Sequence, residues 1–580
     1  MIARDRPFVL LDDARDPGAG TARLFRDPVG IVSTDRADEV EVALERMRAA
    51  VARGLHVAGW IAYEAGAVLE PGLKGHAADA DGPLLWFGLF DRCEPIPAAA
   101  VPALLPDPAG AWAGPPRPLI DREAHAEALD RVKHWIAAGD IYQANLTFPN
   151  HVAVQGDPRA LYARLRQAKA GWGGIVFTGD RWLLSCSPEL FFTATADGAL
   201  TARPMKGTAP AGADPASLRD DPKQRAENLM IVDLIRNDLA RVAEPGSVAV
   251  PALFDIEAYP TVVQMTSTVT ARLAERRDAI DVLTATFPCG SITGAPKIRA
   301  MEVIAAVEHH PRGSYTGSIG HLSPDGSAAF NVAIRTLDML DGADDAMLGL
   351  GSGIVADSES GAEWRECLAK GRFVTAGQRS FDLIETMRFE PMDGLVELER
   401  HLARMRASAA AFGFAFDRHD ARNELQAATF RLRAPARVRL MLGPSGALAI
   451  EVGPMPETPG GTVGVALVPL PVDPSDFRLR HKTSDRGFYD RARREAGTWD
   501  VLFERPDGLL TEGSFTNLFV PRDDRLLTPA LDLGLLPGTL RDRLIGEGRA
   551  VEAELTRDDL SDGFFMGNAL RGLIAARLAA

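Results

Sequence analysis

Residues 349–370 read GLGSGIVADSESGAEWRECLAK, a run of small residues followed by a helix-forming segment. Small residues let a backbone approach a ligand closely. Ser360 and Glu363 have the spacing of a capping box, which predicts that a helix begins there. Glu366 and Lys370 follow Glu363 by three and seven residues, so these side chains share one helix face. The pattern is that of a solvated, salt-bridged helix face or of the carboxylate wall of a site.

Two other segments have the start and stop signals of helices. Residues 121–140 begin at Asp121, a good N-cap, and reach Gly139, a residue that commonly ends a helix. Residues 221–242, DPKQRAENLMIVDLIRNDLARV, begin at Asp221, with a proline in the first turn where it is tolerated. Both segments are therefore predicted to be helices.

A third carboxylate, Glu227, lies beside the apolar run of the second helix and could face the same cleft as Glu363 and Glu366. Two or three convergent carboxylates suit Mg²⁺, which prefers oxygen ligands and keeps waters or substrate oxygens. We therefore predict a magnesium site formed by Glu227, Glu363 and Glu366.

Length and composition limit the classes of protein to consider. The chain has 580 residues, 46% apolar and 25% charged, as expected for a globular protein of several domains. A net charge of −15 without a basic run argues against nucleic-acid and membrane partners. The N-terminus is too charged for a signal peptide, and no apolar run is long enough to span a membrane. Four cysteines without CxxC or zinc spacing indicate a reducing compartment, so we expect a cytoplasmic protein.

Helices and strands mix along the whole chain, which predicts an α+β or α/β class. Residues 95–118 are rich in Pro and Ala and have the composition of a surface linker. The pattern breaks near residues 374–381, and a fresh strand-like segment begins there. We therefore predict two domains, residues 1–375 and residues 379–580.

The segment FPCGSITGAPKIRAMEVI, residues 287–304, could be mistaken for a phosphate-binding loop. A P-loop requires Gly-Lys-Ser/Thr, whereas Gly294 is followed by Ala-Pro-Lys. We reject nucleotide binding at this segment.

Eight motifs occur in an order that resembles the chorismate-utilising enzymes. They are GDIYQANLT, SPELFF, PMKGT, AENLMIVDLIRNDLARV, FPCGSITGAPK, YTGSIG, AIRTL and GSGIVADSESGAEWRECLAK, and they span roughly residues 120–374. The group includes the large subunits of anthranilate synthase and of aminodeoxychorismate synthase, and salicylate and isochorismate synthases. The resemblance implies an α/β sandwich of the anthranilate synthase component I type.

The resemblance also implies roles for individual residues. Glu227 and Glu366 would hold the Mg²⁺ that binds the ring carboxylate of chorismate, with Glu363 assisting through water. Tyr315 and Arg335 would hold the enolpyruvyl carboxylate, to which a guanidinium is suited.

Further positions of the same motifs complete the implied site. Lys370 would contact a substrate carboxylate, and Gln143 and Gly353 would line the substrate site. Glu189, in SPEL, would protonate the departing 4-hydroxyl, because hydroxide is a poor leaving group.

Lys206 distinguishes reactions within the group. Anthranilate synthases have PIAGT in place of PMKGT, with alanine at the position of Lys206, and enzymes that use water have a lysine at the position of Gln143. Aminodeoxychorismate synthases have PIKGT. The resemblance implies that Lys206 adds at C2 of chorismate as the 4-hydroxyl leaves, and that ammonia then adds at C4 and expels the lysine. A free lysine has a pKa of about 10.4, so the site must favour the neutral amine.

Ammonia needs a source. A glutaminase of the triad type requires a nucleophilic cysteine, and none of the four cysteines lies in a GxCxG turn. We predict a separate glutaminase subunit as a partner.

The C-terminal part contains a second group of candidate residues. RLRHKTSDRGFY supplies Lys482, GLLTEGSFTNLFV supplies Glu512, and LLPGTLRDRLI supplies Gly538 and Thr539 at a turn into a helix that could bind phosphate. A lone lysine would ordinarily be a surface residue. An amine, a later carboxylate and phosphate-binding turns are together what pyridoxal phosphate requires.

Residues from about 379 to 580 resemble the fold-type IV pyridoxal phosphate enzymes through FDLIETMR, ERHLARMRASA, HKTSDRGFYDRARREA, LTEGSFTNLF, LLPGTLRDRL and MGNALRGL. These enzymes include branched-chain and D-amino-acid aminotransferases and 4-amino-4-deoxychorismate lyase. The resemblance implies that Lys482 is the Schiff-base lysine and Glu512 the partner of the pyridine nitrogen. It also implies a homodimer, and places four residues near the phosphate: Arg404, Thr516, Gly538 and Thr539.

Together the two resemblances imply an α+β chain in which an anthranilate synthase component I-like sandwich precedes a fold-type IV domain. The expected function is amination of chorismate at C4, followed by pyridoxal phosphate-dependent elimination of pyruvate to give 4-aminobenzoate for folate synthesis. FDLIETMR and NALRG favour the lyase over an aminotransferase. The alternatives are an aminotransferase in the second half, an anthranilate synthase component, or an inactive regulator that binds chorismate or the cofactor.

Overall fold

The structure, a computed structural model, describes residues 2–15, 20–73, 82–210, 212, 214–258 and 262–579. Two compact units are present, and neither is a continuous piece of chain. The first consists of Met1–Pro106, Pro115–Val152 and Tyr162–Ala376, and the second of Asp107–Gly114, Ala153–Leu161 and Gly377–Ala580. Both units mix helices and strands, as the sequence predicts.

The first unit contains two large sheets. In spatial order, one sheet consists of Gly294–Ala295, Gln143–Gln155, Asp345–Ile354, Thr336–Leu340, Arg181–Ser185, Gly173–Phe177, Phe8–Asp12, Thr21–Arg26 and Glu94–Pro97, with Arg117–Pro118 paired to Gln143–Gln155. The other consists of Met205–Pro210, Val262–Arg272, Ala199–Arg203, Leu190–Ala194, Ala328–Asn331, Ser318–Leu322, His56–Ile61, Leu85–Phe90 and Gly30–Thr34, with Ala249–Ala258 paired to Val262–Arg272.

The two sheets pack face to face. Val9 and Leu183 from the first sheet share a buried cluster with Trp60, Trp86 and Ile319 from the second. Side chains that alternate inward from both sheets make such a core. The sandwich that the sequence predicts is therefore present.

Helices cover the outer faces of the sandwich. One large buried cluster joins the second sheet to helices Val40–Ala52, Pro222–Ala240 and Ala279–Thr286, and another joins the first sheet to Arg122–Ala138 and Lys297–Val307. The remaining helices of this unit are Ala65–Leu69, Pro215–Asp220 and Ser360–Lys370, and Pro158–Leu165 runs from the second unit into the first.

The predicted helix ends are confirmed where local rules decide them. The Asp121 carboxylate accepts a hydrogen bond from Ala124 N, and Gly139 follows the helix with a φ of 81°. Asp221 likewise accepts from Lys223 N and Gln224 N at the start of Pro222–Ala240.

The second unit also contains two sheets. The smaller consists of Gly394–Leu395, Leu383–Glu390, Ala436–Leu442 and Leu448–Pro454. The larger consists of Leu510–Gly513, Asp500–Glu504, Val463–Pro469, Gly572–Leu578, Phe564–Asn568, Asn517–Arg522, Arg525–Thr528 and Ala550–Glu552. Leu510–Gly513 also pairs with Asn517–Arg522, so part of this sheet closes on itself. The helices are Leu398–Phe412, Arg418–Thr429, Phe477–Arg480, Gly487–Ala496 and Thr539–Gly546.

The predicted surface linker at residues 95–118 is wrong. Val101 is completely buried, and Trp112 is 5% exposed within the core of the second unit. The Trp112 ring meets the edge of the Phe412 ring at 4.9 Å between centroids. Proline and alanine gave the segment the composition of a linker, but its large apolar residues pack against partners far along the chain.

Trp112→Ala is expected to destabilise the second unit by about 3 to 5 kcal/mol, the usual cost of deleting a buried large aromatic side chain. Urea unfolding followed by circular dichroism measures the change. Phe430→Ala is the matched control, because the Phe430 side chain is 80% exposed in the same unit. Equal midpoints for the two variants would contradict a core role for Trp112.

Among the described residues, no helix combines the length and the apolar character needed to cross a membrane.

Candidate active sites

Lys206 lies on the strand Met205–Pro210, at the end of the second sheet of the sandwich. Its carbonyl accepts a hydrogen bond from Asn228 Nδ2 at 3.1 Å, which ties the strand to the helix Pro222–Ala240. The neighbouring Glu227 on that helix places Oε2 3.2 Å from Lys206 Nζ. The structure therefore brings the predicted nucleophile and a predicted metal ligand together.

Gly353 and Gln143 converge on the same amine. A Cβ atom at Gly353 would lie 2.8 Å from Lys206 Nζ and 3.0 Å from Gln143 Nε2, so a side chain at this position would displace the Lys206 amine and crowd the Gln143 amide. Gln143 is 1% exposed, and its Oε1 atom accepts no hydrogen bond from the part of the chain that the structure describes. A buried amide oxygen without a donor is costly, so a ligand hydrogen would stabilise it.

Three alternate glycines of the strand Asp345–Ile354 share one face. Cβ atoms at Gly351 and Gly349 would lie 2.6 Å from Thr147 Cγ2 and 2.1 Å from the Tyr315 ring. Because a strand rises about 3.3 Å per residue, the Tyr315 contact lies about 13 Å from Gly353 along this face. Tyr315 and Lys206 thus contact opposite ends of this glycine face, and Thr147 packs against it between them.

Tyr315 and Arg335 lie in segments that are joined by backbone hydrogen bonds. Thr316 N donates to Ala333 O at 2.9 Å, and Ala333 N donates to Gly317 O at 2.9 Å. Arg335 has the left-handed φ of 51°, and its carbonyl accepts from a neighbouring backbone amide at 3.0 Å.

Glu189 is a buried acid on which the charge of Lys206 acts. Burial raises the pKa of its carboxyl group to about 7, although hydrogen bonds from Ser291 and Met205 N and the charge of Lys206 act in the opposite direction. The side chain is 4% exposed, and Oε1 accepts no hydrogen bond from the described residues. Such a carboxyl group holds its proton near neutral pH and can donate it.

The helix Ser360–Lys370 carries the other predicted residues. Glu366 Oε1 pairs with Lys370 Nζ at 2.9 Å, and Lys370 Nζ also donates to Gly351 O at 2.9 Å. Burial raises the pKa of Glu366, but the charges of Lys370, Lys206 and Lys223 outweigh that effect, and the net shift is downward. The charges of Lys206 and Lys370 thus both lower the pKa of the same carboxylate, that of Glu366.

The predicted capping box at Ser360 and Glu363 is wrong. Glu359 is the N-cap and makes no side-chain cap hydrogen bond. Ser360 is the first residue of the helix and not its cap, and Glu363 Oε1 instead accepts a hydrogen bond from Ser358 Oγ at 2.8 Å.

The magnesium ligands have suitable chemistry but are not gathered into a closed set. No group of three His, Cys, Asp or Glu side chains within the described residues lies close enough to hold a metal ion. Glu227 contacts Lys206 and Glu366 contacts Lys370, so the carboxylates face lysines rather than one another. The negative charges of Glu227 and Glu363 both raise the pKa of Lys223, so the two carboxylates lie near the same amine.

The lysine of the rejected phosphate loop, Lys297, has a structural role. Its Nζ donates to Asp238 Oδ2 at 3.1 Å and to Thr286 O at 2.6 Å, and the side chain is buried. A buried amine with these partners links three helices of the first unit.

In the second unit, Lys482 follows the short helix Phe477–Arg480, and its carbonyl accepts from Ile384 N at 2.8 Å. Burial and the positive charge of Arg404 together lower the pKa of the Lys482 amine to about 7, although the charge of Glu385 acts in the opposite direction. A substantial fraction of this amine is therefore neutral at neutral pH, as a Schiff-base lysine requires.

Glu512 is 4% exposed and lies in the same unit as Lys482. Burial raises the pKa of its carboxyl group to about 7. Oε1 accepts from the Tyr489 hydroxyl at 2.7 Å, and Oε2 accepts from Asn517 Nδ2 at 3.3 Å. These donors orient a carboxylate that could pair with a pyridine nitrogen.

The predicted phosphate residues Arg404, Gly538 and Thr539 come together. Arg404 Nη1 donates to Pro537 O at 2.9 Å, next to Gly538 at the start of the helix Thr539–Gly546. A Cβ atom at Gly538 would lie 1.9 Å from Asn517 Oδ1, so only glycine fits. A helix N-terminus beside a guanidinium is a suitable phosphate site. Amine, buried carboxyl group and anion cradle therefore fit pyridoxal phosphate.

Two residues that anchor this cradle were missed by the sequence reasoning. Glu385 Oε1 accepts from Arg404 Nε at 2.8 Å, and Glu385 Oε2 accepts from Arg404 Nη2 at 2.6 Å. His401 Nδ1 lies 2.6 Å from Glu385 Oε2, and its Nε2 lies 3.4 Å from Thr539 Oγ1. The motifs could have identified both residues, because Glu385 lies in FDLIETMR and His401 lies in ERHLARMR.

Thr516 has another partner in the structure. Its hydroxyl donates to Asp500 Oδ2 at 2.6 Å, and Ser514 N and Oγ donate to Asp500 Oδ1 at 3.0 and 2.5 Å. Asp500 is fully buried, so it fixes the loop between Glu512 and Asn517. A phosphate contact from Thr516 stays a prediction.

Comparison with known families adds independent findings. The chorismate binding enzyme family model matches residues 6–376, and the amino-transferase class IV model matches residues 382–578. Aminodeoxychorismate synthase component 1 of Klebsiella aerogenes is 44% identical over 262 residues, which are 44% of this chain and 57% of that protein. Anthranilate synthase component 1 of Streptomyces coelicolor is 42% identical over 264 residues, 44% of this chain and 51% of that protein.

A solved structure agrees with the sandwich. Anthranilate synthase component I from Streptococcus pneumoniae TIGR4 superposes with a TM-score of 0.53 and 25% identity, over 62% of this chain and 92% of that chain. The chain spans a little over half the length of the curated relatives that it matches. Relatives with two different names have nearly equal identity, so identity alone does not choose between the two names.

Proposed function

Because the chain belongs to the family of chorismate binding enzymes and ends in an amino-transferase class IV domain, we propose that it converts chorismate to 4-aminobenzoate in two consecutive reactions. The first is amination at C4, which gives 4-amino-4-deoxychorismate. The second is elimination of pyruvate from that product. The observation that carries the proposal is the position of the Lys206 amine beside Glu227, Gln143 and Gly353.

In the first reaction Lys206 bonds to C2 of chorismate while both ring double bonds shift by one position and the 4-hydroxyl departs. Glu189 gives that hydroxyl a proton, so that water is the leaving group. Ammonia then bonds to C4, both double bonds shift back and the C2–nitrogen bond to Lys206 breaks. Tyr315 and Arg335 hold the enolpyruvyl carboxylate.

A magnesium ion held by Glu227 and Glu366, with Glu363 assisting, would neutralise the ring carboxylate of chorismate. Lys370 lies beside Glu366 and contacts the same end of the substrate in this proposal. These oxygen ligands are chemically suited to Mg²⁺, and their lysine partners offset the local charge in its absence.

In the second reaction the class IV domain implies pyridoxal phosphate, which would act as the electron sink. Lys482 removes the proton at C4 and later protonates the methylene carbon of the departing enolpyruvyl group. Glu512 would pair with the pyridine nitrogen, and Arg404, Gly538 and Thr539 would hold the phosphate. Formation of the aromatic ring drives pyruvate release.

The remaining elements of the proposal concern organisation. Residues 1–375 carry the synthase reaction and residues 379–580 the lyase reaction, and a separate glutaminase subunit supplies ammonia. The partnership is supported by the component 1 designation of the relative from Klebsiella aerogenes. The four free cysteines suit a reducing compartment, so we place the enzyme in the cytoplasm, as a homodimer.

The test is incubation of the purified chain with chorismate, Mg²⁺, an ammonium salt and pyridoxal phosphate, followed by identification of the aromatic product. 4-Aminobenzoate with an equal amount of pyruvate is expected. Anthranilate would show C2 amination instead. Accumulated 4-amino-4-deoxychorismate, together with amino transfer from an amino acid to a 2-oxoacid, would show an aminotransferase.

Glu189→Gln is expected to slow the first reaction by about 10²- to 10⁴-fold, the usual contribution of a proton donor. The pKa of Glu189 is raised to about 7, so the acid is protonated below that pH and ionised above it. The wild-type rate should therefore fall as pH rises through about 7, and the variant should lose this fall. A pH profile that is the same in both proteins would remove Glu189 from proton transfer.

A further inference from the structure

The short helix Phe477–Arg480 leads directly into Lys482. Its N-cap, Asp476, is buried and accepts hydrogen bonds from Arg478 N at 2.8 Å and from Arg478 Nη2 at 2.6 Å. At the other end, His481 N donates to Phe477 O at 3.1 Å, so the backbone stays hydrogen-bonded up to the residue before the lysine. A displacement of this helix would therefore move Lys482.

This helix rests on a segment from far earlier in the chain, Asp107–Gly114, which belongs to the second unit. A Cβ atom at Gly110 would lie 3.1 Å from Asp476 Oδ2, so the backbone of the segment packs directly against the N-cap. The Asp107 carboxylate lies 3.9 Å from Arg478 Nη2. The segment thus contacts both residues that hold the start of the helix.

Core packing and hydrogen bonds fix the same segment in place. Trp112 shares a buried cluster with Phe477, on the helix, and with Phe412. Ala113 N donates to Gln378 Oε1 at 3.0 Å, and Gln378 Nε2 donates to Ala113 O at 3.1 Å. The segment is therefore held by the unit that it supports.

A second early segment of the same unit, Ala153–Leu161, reaches the residue before the N-cap. Ser475 Oγ lies 3.5 Å from Asp157 Oδ2. Asp157 is 2% exposed and pairs with Arg159 at 2.7 Å, so it is a fixed point for the loop. The approach to Lys482 is therefore supported from two places in the first third of the chain.

Both segments lie outside the region that the amino-transferase class IV model matches. We propose that Asp107–Gly114 is a positioning segment for Lys482, so that the cofactor site depends on residues outside the class IV region. The chemical role of Lys482 rests on the proposed function. The dependence of residues 377–580 on the segment does not.

Gly110→Val tests the contact with the N-cap in the full-length chain loaded with pyridoxal phosphate, because the added side chain would crowd Asp476 and displace the helix. Burial and three nearby arginines lower the pKa of Lys482, although Glu385 raises it. A displaced lysine should bind a proton more readily. The pH at which the visible absorbance of the bound cofactor changes should rise by at least about 0.5, which is a threefold change in proton affinity. A uniform loss of stability would not move this midpoint.

Gly460→Val is the matched control, because a Cβ atom at Gly460 would have no neighbour within 4 Å. Its absorbance midpoint should equal that of the wild type. Gly110→Ala is a smaller intrusion and should shift the midpoint less, in the same direction, which keeps the test open if valine prevents folding.

A second experiment does not require the cofactor. A specific protease site inserted between Ala376 and Gly377, which are both exposed, allows the folded chain to be cut there. The pieces 1–376 and 377–580 should remain together on a size-exclusion column, because residues 107–114 stay packed in the second unit.

Trp112→Ala in the cut chain should raise the dissociation constant of the two pieces by at least about a hundredfold, as expected for the loss of a buried large aromatic side chain. Phe430→Ala should leave the constant unchanged, because Phe430 is 80% exposed.

An absorbance midpoint that is the same in the wild type and both Gly110 variants would overturn the positioning role. Equal dissociation constants for the Trp112 and Phe430 variants would overturn the dependence on the segment. A chain that binds no cofactor, but whose pieces stay together only with Trp112 intact, would remove the proposed second reaction and keep the dependence.

Discussion

Lys206→Ala is expected to lower the rate of 4-amino-4-deoxychorismate formation by at least about a hundredfold, because the bond at C2 can no longer form. The alanine variant has the residue that anthranilate synthases carry at this position, so some chorismate should divert to anthranilate. Fluorescence and chromatography of the products, with ammonium salt as the nitrogen source, measure both effects.

Lys223→Ala is the control for this experiment. Lys223 also acts electrostatically on Glu366, but it pairs with Asp357 at the surface, where the two side chains are 50% and 65% exposed. Its loss removes a positive charge from the neighbourhood without removing the amine beside Gly353. If the two variants were equally slow, charge rather than covalent chemistry would explain the effect, and wild-type turnover in Lys206→Ala would exclude Lys206 from the mechanism.

Lys482→Ala is expected to abolish the visible absorbance that pyridoxal phosphate acquires when it joins a lysine. 4-Aminobenzoate formation should fall by at least about a thousandfold, because one amine both binds the cofactor and moves the proton. 4-Amino-4-deoxychorismate should then accumulate, because the first reaction is intact. Absorbance spectra and product analysis with chorismate as substrate test these statements.

The two lysine variants serve as controls for each other. Each lacks one amine, so an equal mixture should regain 4-aminobenzoate formation as the intermediate released by Lys482→Ala reaches the intact second site of Lys206→Ala. An inactive mixture in which the intermediate still accumulates would show that Lys206→Ala has damaged both sites. 4-Aminobenzoate at the full rate from Lys482→Ala alone would show that this lysine is not needed for pyruvate elimination.

Local chemistry explains which parts of the fold could be predicted. The ends of the helices Arg122–Ala138 and Pro222–Ala240 depend on Asp121, Gly139 and Asp221, whose effects reach only a few residues. Trp112 could not be placed, because its burial depends on Phe412 and other partners hundreds of residues away. A composition rule sees proline and alanine but not the distant surface against which an indole packs.

The site follows the same division. Motif order was enough to name Lys206, Glu227, Gln143 and Gly353, and the structure brings these four together. Ser360 failed as a cap because the helix begins one residue earlier than predicted, with Glu359 as the N-cap.

The sequence did not predict which buried charges form ion pairs. A residue such as Glu385 looks like any strand carboxylate until Arg404 and His401 are found against it.

The discontinuous second unit has a consequence for biosynthesis. Trp112 leaves the ribosome 300 residues before Phe412, the ring against which it packs. At about 5 to 20 residues per second, the nascent chain waits about 15 to 60 s before this contact can form. During that interval an indole destined for a core is exposed, so translation speed and chaperone capture should affect the yield of active enzyme.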